Sequence, residues 1–569
     1  MTGLHPADIA ALVCYFILVV GLGVWTARGV KDVADFIMPR RFGKLMMIFF
    51  GFGAGTHSDQ AVSVASKSYT NGVSGIWYQW LWLFCTPFYW LIAPMMRRFR
   101  ALTTADIFEL RYNRSVSMLY AAVGLLQYTV NIGVMLKGSA HVIEASTGGT
   151  VNTDWAIAIM TLLFVAYGVA GGLHAAVLTD FIQGMLTIVF SFLMLPFLLN
   201  AIGGLAGMRE QVPPDMLSMV APAEIGAFYI AVIALNGMVG IVTQPHTLAN
   251  CAAGRTELDG QVGWMCGNFL KRICTIAWTL TGVAAIAYFA KIGVSDVNPD
   301  NVFGEVAYRF LPDIMPGLLG LFLAGLLAAV MSSCDAFMIT SAGLFTENLY
   351  KPFVTQQSKT HYLWVARISS LTVVAAGVYF AYWLEDVVAG LEIFWKVSPM
   401  LGIAFWFGLF WRRMNSAGAW ASTCVAFFVW WLTTQSYFID WIDSLPIAEP
   451  LRFIFVDNGT PEIYLPWQMI FYLSAGALTG VIVSLITPST NKERLERYYA
   501  LVRTPVVPNE HVEQPCTIPE GSETLPPRKL IPVNWLEVYV PSPRMIGGFL
   551  AGWCGVALLI WVFLWLVKG

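Results

Sequence analysis

Gly51-Phe52-Gly53-Ala54-Gly55-Thr56-His57-Ser58-Asp59-Gln60 is the stretch on which the fold turns. It lies inside an apolar run, residues 45–66, long enough to cross a bilayer at about 20 residues per span. Three alternating glycines followed by polar residues do not make an ordinary lipid-facing helix. Gly weakens a helix by about 1 kcal/mol relative to Ala, and an Asp near mid-membrane costs roughly 2.5–3.5 kcal/mol on insertion scales. Unwound backbone at that depth persists only where it lines a cavity. Two readings compete. Small residues bring helices close together, with the polar cluster at the outer interface; or the stretch is a substrate or ion site. The polar run sits mid-span, which favours the site.

The rest of the chain suits a membrane. It has 569 residues, 57% hydrophobic, 14% aromatic and 12% charged, with a mean hydropathy of +0.65. An average soluble domain carries roughly 25% charged residues, so a soluble enzyme, a disordered chain and a collagen-like chain are excluded. A net charge of −2 and the lack of a basic domain argue against nucleic acid as a partner. The nine cysteines are scattered without CxxC or Cys/His metal spacing, as buried thiols in packed helices would be. The first apolar run lacks a basic leader and a cleavage site, so it reads as a retained span.

A 20-residue ruler marks fourteen candidate spans: 7–27, 45–66, 73–96, 115–144, 153–171, 175–200, 226–248, 267–290, 314–346, 362–383, 388–411, 416–436, 466–487 and 545–566. The second, seventh and ninth are interrupted by small and polar residues. Residues 488–543 form a proline-rich polar stretch that reads as a cytoplasmic extension lying along the membrane. Basic residues concentrate on one side: Arg40-Arg41, Arg97-Arg98-Phe99-Arg100, Lys271-Arg272 at the edge of the eighth span, and Arg412-Arg413 all fall with the odd-numbered connections. Lys and Arg mark the cytoplasmic side, which puts both termini outside a plasma (inner) membrane.

Three further motifs carry chemistry. In the ninth span Ala329, Ser332 and Ser333 share one helical face. Hydroxyls and freed carbonyls are hard oxygen ligands suited to Na⁺; alone, a Ser pair is more often an interhelical hydrogen bond. Tyr167 to Gln183 contains Gly171-Gly172, read as a tight turn, and Thr179-Asp180. Asp180 is either an interfacial capping acid or a cation relay. In the seventh span Asn236-Gly237 and Gly240 precede Thr243-Gln244-Pro245-His246; a proline there removes a donor and frees carbonyls, giving a second interrupted helix.

These stretches resemble the sodium:solute symporter family, which includes sodium/galactose, sodium/proline and sodium/sialic acid transporters. Tyr167–Gln183, Ala329–Ser333 and Gly408-Leu409-Phe410-Trp411-Arg412-Arg413 followed by Ala417-Gly418-Ala419 carry the resemblance, which runs from about residue 7 to 487. It implies an all-α integral membrane fold of about 14 transmembrane helices, with a core of two inverted five-helix repeats and two discontinuous helices. The repeats would be 45–200 and 226–411, joined by an extracellular loop 201–225. Residues 1–44 would hold the first helix and a basic cytoplasmic loop, 412–487 peripheral helices, 488–543 the extension and 544–569 the last helix. It also implies Na⁺ ligation by the carbonyls of Gly53, Thr56 and Ala329 with Ser332 and Ser333, and places Asp180 on the ion's exit path or at an additional Na⁺ site. Asp59, Gln60, Gln79 and Asn236 match solute positions of the sugar-transporting branch. Val239 and Leu391 depart from that branch, and Gln244-Pro245-His246 resembles the amino-acid branch, so sugar and amino-acid features are mixed.

Other intramembrane polar groups need partners or water. His57 reads either as a solute contact or as a hydrogen-bonded packing residue. Asp335 lies two residues after Ser333, roughly 200° round the helix, so it need not touch an ion at Ser333; a structural ion pair with a bundle lysine is an equal reading, and Lys67 and Lys137 are likewise costly unless paired or hydrated. Glu392 and Lys396 are spaced as a helix-face pair. The tryptophan-rich run Trp77–Trp82 reads as an interfacial belt or as a stacking surface for a sugar ring. No nucleophile–base pair suggests an enzyme. The expected function is Na⁺-coupled symport of a small polar organic solute, a sugar, amino acid or organic acid, by alternating access in a lipid bilayer. The rival is a solute sensor or solute-gated channel on the same scaffold.

Overall fold

The computed structural model describes residues 4–27, 38, 40–53, 55–56, 58–221, 225–244, 246–384, 387–457, 460–507, 510, 512 and 514–569; for 19–20, 22–27, 58, 166–180 and 335 it describes the backbone alone. The chain is mostly helical. Eight helices among the described residues are long and apolar enough to cross a membrane: Arg114–Ser146, Phe181–Ile202, Glu257–Lys291, Leu318–Tyr350, Lys359–Trp383, Val387–Phe410, Leu465–Ile486 and Pro543–Lys568. Shorter apolar helices occupy Pro6–Leu18, Lys44–Gly53, Thr153–Val165, Ala227–Ile241 and Ser416–Leu432.

The elements that frame the site are numbered as follows. Helix α1 is Lys44–Gly53 and α2 is Ser58–Asn71. After a short helix Trp77–Trp80 come α3 (Thr86–Arg98), α4 (Thr104–Arg111) and α5 (Arg114–Ser146). Then follow α6 (Thr153–Leu193), α7 (Ala227–Gly240), α8 (Thr247–Ala252) and α9 (Glu257–Lys291). The second half supplies α10 (Leu318–Gly343), α11 (Lys359–Trp383), α12 (Val387–Phe410), α13 (Leu465–Ile486), α14 (Lys492–Arg503) and α15 (Pro543–Lys568).

The second span is broken as its glycines require: α1 stops at Gly53 and α2 starts at Ser58. The seventh is broken too, with α7 passing into a 3-10 turn at Ile241–Thr243 before α8 resumes. Pro245, the residue expected to cause that break, lies outside the described residues. Helix α9 begins ten residues earlier than the hydropathy of 267–290 suggests. A capping box starts it: Asp259 N donates to Thr256 Oγ1 at 3.2 Å and Thr256 N to Asp259 Oδ2 at 3.0 Å, which satisfies first-turn donors. At Gly171-Gly172 the expected turn is absent and helical backbone continues through Thr153–Leu193. Glycine costs a helix only about 1 kcal/mol, and the apolar residues around this pair favour continuation.

Helix α1 packs closely on α9 through facing glycines. A Cβ at Gly51 would lie 2.8 Å from the Gly263 carbonyl oxygen, and one at Gly267 would lie 2.6 Å from that of Ile48. So the small residues do serve close packing, but at Gly51, ahead of the break. Helices α2 and α3 also pack on α9, whereas α5 packs on α11 and α10 on α6. Helices α1, α2, α3 and α9 thus make one packed group, and α5 with α11 and α12 another; α1 also meets α6, α2 meets α5, and α7 packs on α12. Five cysteines are buried, but Cys14, Cys424 and Cys554 are exposed on apolar helices rather than packed inside.

The extension carries a helix that packs on the bundle. Its helix α14 buries Leu495, Tyr498, Tyr499, Leu501 and Val502 against α3 and α4. On the opposite side of the bundle a two-stranded antiparallel hairpin, β1 (Ile454–Asp457) and β2 (Thr460–Ile463), joins a small apolar cluster of Ile439, Ile442, Ala448 and Phe453.

Candidate ion and solute site

The break between α1 and α2 frees carbonyls in the interior, and side chains from three directions meet them. From α10, Ser333 Oγ donates to the Gly53 carbonyl at 3.4 Å. The Thr56 amide also turns back to Gly53 O, at 3.1 Å. Gln60 Nε2 donates to the Gly55 carbonyl at 3.1 Å. From α9, the Lys271 ammonium donates to the same Gly55 carbonyl. Thr56, Ala329, Ser332 and Ser333 are all buried, and Thr56 Oγ1 has no hydrogen-bond partner among the described residues. An orphaned buried hydroxyl beside a carbonyl whose only side-chain donor among the described residues is the distant Ser333 hydroxyl makes a set of hard oxygens, which suits Na⁺.

Of the expected Na⁺ ligands, Gly53 and Ser333 are therefore in contact, and the others lie on the same two elements. Ala54 and His57 lie outside the described residues. Asp180 falls within α6 and Asp335 within α10, with side chains outside the described set.

Asp59 and Gln60 occupy the first turn of α2 and are buried. Helix α5 approaches there so closely that a Cβ on Gly138 would sit 2.9 Å from Asp59 Cα. Gln79 is fully buried, and neither end of its amide has a partner among the described residues; the same is true of the Trp82 indole nitrogen. Such groups cost about 1–3 kcal/mol each when left unsatisfied, so they mark where a polar ligand or water belongs. Trp82 meets Trp395 edge-on at 6.2 Å and Phe394 at 6.5 Å. Trp77, Trp80 and Trp82 are buried among other helices rather than exposed as an interfacial belt would be. Asn236 is already engaged: Nδ2 donates to the Trp395 carbonyl at 2.9 Å and Oδ1 accepts from Tyr472 at 2.6 Å. In this conformation it ties α7 to α12 and α13.

Lys271 is the residue that hydropathy misplaces. Grouped by its sequence position with the basic loops, it is instead buried, stands 5.7 Å from the centre of the Trp82 ring, and interacts electrostatically with Asp59. The misplacement has a simple cause. Lys271 falls at the start of the apolar window, but α9 begins at Glu257, so it lies fourteen residues into the helix, about 21 Å at 1.5 Å per residue. Arg272 is buried beside it, its carbonyl accepting from Trp80 Nε1 at 3.2 Å. Further out, Glu392 and Lys396 do form a helix-face pair at 4.0 Å; Tyr78 donates to Glu392 at 3.3 Å, and Lys67 stands over the Tyr78 ring.

The broken helix faces Ala329–Ser333, one of the stretches that carry the family resemblance. The model of the sodium:solute symporter family matches residues 40–426. This chain belongs to that family. It is 25% identical to the osmoregulated proline transporter of Bacillus subtilis, covering 75% of this chain and 89% of the relative. It is 26% identical to the sodium/pantothenate symporter of Haemophilus influenzae, covering 75% and 90%, and 24% identical to the sodium/glucose cotransporter of Vibrio parahaemolyticus, covering 73% and 83%. In fold it matches a Na⁺-coupled sialic acid symporter solved in a substrate-bound, outward-open state. That match has a TM-score of 0.69 at 16% identity, over 85% of this chain and 99% of the other. The family is one of transporters, which disfavours both an enzyme and the sensor or channel alternative.

Proposed function

We propose that the protein couples downhill Na⁺ entry to uptake of a small polar organic solute across the plasma membrane. The observation that carries this reading is the contact of Ser333 with Gly53 at the break between α1 and α2. Na⁺ sits among the carbonyls of Gly53, Thr56 and Ala329 and the oxygens of Ser332 and Ser333. The Ser333 hydroxyl turns from donating to Gly53 to offering its own lone pair to the ion. Solute binds on the other side of the break, beside Asp59, Gln60, Gln79, Trp82 and Lys271. Asn236 is a weaker candidate, since a solute would first have to displace Trp395 or Tyr472 from it.

Ion and solute then act on one element. Na⁺ fixes α1 against α10 and so preorganises the first turn of α2, which carries Asp59 and Gln60. Together the two ligands favour the occluded arrangement because they bind it better than the open one. The coupling is reciprocal: solute raises Na⁺ affinity by the factor by which Na⁺ raises solute affinity. Residues 45–200 and 226–411 form the two inverted repeats, the basic face is cytoplasmic with both termini outside, and Asp180 lines the ion's exit.

The test is uptake into liposomes containing the purified protein under an imposed Na⁺ gradient. The solute is first found by a thermal-stability screen of sugars, amino acids and organic acids with and without Na⁺. A true solute stabilises by mass action, and more so with Na⁺. Ser333→Ala should retain expression and lose Na⁺-dependent uptake; uptake with unchanged Na⁺ dependence would remove the site assignment.

A further inference from the structure

The extension after α13 grips both groups of helices at the basic face. On one side it holds α3 and the start of α9. Arg98 pairs with Glu257 at 2.8 Å and donates to the Val502 carbonyl at 3.1 Å, and the Val506 amide donates to Glu257 at 2.9 Å. Arg100 donates to the carbonyls of Thr504 (3.3 Å) and Pro505 (3.1 Å). Glu510 reaches into this corner and takes Arg97 at 3.3 Å and Arg100 at 2.8 Å, all three side chains being at most 4% exposed. Arg40 adds a third guanidinium, donating to the carbonyls of Arg100 and Ala101. Burial, and next the charge of Arg97, push the Arg40 pKa down to about 10 against the pull of Glu510. One carboxylate therefore neutralises a crowd of arginines.

On the other side the same segment holds the α4–α5 corner and the end of α12. Arg494 donates to the Tyr112 carbonyl, Tyr499 to that of Gly408 at 3.1 Å, and Arg412 pairs with Glu496 at 2.7 Å and with Glu537. Glu537 also takes Lys529 at 2.9 Å and Tyr539 at 2.5 Å. Its amide and that of Arg412 bond to the carbonyls of Phe410 (2.8 Å) and Trp535 (3.0 Å).

We propose that the described residues of the extension, 492–507, 510, 512 and 514–540, form a latch across the basic face, with the Arg97–Glu510–Arg100 cluster as its catch. The segment is anchored both to α3 and α9 and to the α4–α5 corner and α12, so on the transport reading an inward opening that parts these two sides would have to release one set of anchors in each cycle. Removing one partner of a buried ion cluster leaves uncompensated charge, so the catch is where the latch is most easily tripped. The proposal adds regulation to the transport reading above and rests on it.

Two native thiols report on the latch. Cys516 lies buried in the segment itself. Cys251 lies buried in α8, three residues before Gly254, whose carbonyl accepts from Arg97 Nε at 3.3 Å. The experiment is maleimide labelling of the full-length protein in liposomes, in K⁺ and in Na⁺ medium, read peptide by peptide by mass spectrometry. In Glu510→Gln, labelling of both Cys516 and Cys251 should rise at least about tenfold in K⁺, equivalent to about 1.4 kcal/mol in the closed–open equilibrium. Cys85 and Cys274, buried inside the helices, should stay protected. Cys516 rising while Cys251 stays protected would show a loose flap that latches nothing, and no rise at either would show that the cluster does not hold the segment; both overturn the proposal. If Cys85 and Cys274 also react, the variant is misfolded, and Glu537→Gln, which frees the opposite anchor, is judged by the same readouts. Whether Na⁺ lowers Cys251 labelling in the parent protein is a separate result, and its failure would count against the symport reading alone.

Discussion

Lys271 offers the most discriminating test of the site. Replacing it with methionine keeps the length of the side chain and removes its charge. The Gly55 carbonyl keeps Gln60 as a donor, so no orphaned acceptor results. What is lost is the cation that acts on buried Asp59 and the contact with the Trp82 face. A cation over an aromatic ring contributes roughly 0.5–2 kcal/mol, the lost attraction to Asp59 adds to this, and relief from burying the ammonium offsets part of it, leaving a loss of about 1–2 kcal/mol, or roughly 5–30-fold in an equilibrium. Asp59→Asn should cost a similar amount by stranding the lysine. The double variant removes both charges and should return close to the parent, since exchanging a buried pair for neutral groups is often neutral. The assay is the fraction of monodisperse protein surviving a heating series in detergent, with parent and double variant ranking above either single variant. A double variant less stable than both singles would mean that the two residues act independently, and the paired core of the site would be withdrawn.

The remaining expectations use other parts of the molecule. Ser333→Ala should weaken the Na⁺-dependent gain in thermal stability by about 1–3 kcal/mol, the cost of losing one charge-assisted contact, while stability in K⁺ stays within about 1 kcal/mol of the parent. Gly267→Leu drives a side chain into the backbone of Ile48 and Phe52 and should cost at least 1–3 kcal/mol by overpacking, read as lower yield and heat resistance. Glu537 is raised by burial, but hydrogen bonds from Tyr539, Lys529 and Arg412 outweigh this and hold its pKa below the usual carboxylate value. Its contribution is thus present above about pH 4.5, the unfolded value, and is lost as pH falls through its folded value. Acidification below about pH 4.5 should loosen the segment, read as faster pepsin cleavage between residues 514 and 540, and Glu537→Gln should flatten that rise.

Much of this is legible in the sequence, and for physical reasons. A glycine–polar run inside an apolar span has few fates in a bilayer, so the end of α1 at Gly53 and the new start of α2 at Ser58 follow from the cost of unsatisfied backbone. The Ser332–Ser333 pair gains meaning from that break, because an ion site needs oxygens from two elements. Lys271 escapes because a hydropathy window sees apolar residues and not the capping box at Thr256 that starts α9 ten residues earlier. Asn236 reads as a solute contact because an intramembrane amide always needs partners; which ones depends on Trp395 and Tyr472, 159 and 236 positions away. The structure of 488–543 is opaque for the same reason. Its order comes from Arg97, Arg98, Arg100 and Arg412, far off in sequence, and nothing local to its prolines announces them.

The two carbonyls of the break also differ in a way that assigns their roles. Gly55 O is held by two donors, an amide from the neighbouring turn of α2 and a lysine fixed in α9, so its needs are met with or without an ion. Gly53 O receives the Thr56 amide and a hydroxyl at 3.4 Å, the long end of hydrogen bonding. A hydroxyl is the one donor that can rotate and become a ligand. On the proposed Na⁺ site, the fixed cation would keep the break in shape without the ion, and the exchangeable cation would sit two residues earlier, where little is lost when Ser333 turns. Lys271 and Na⁺ would then not compete for one position, so charge removal at 271 should lower stability in any salt, while loss of the Ser333 hydroxyl should be felt only when Na⁺ is present.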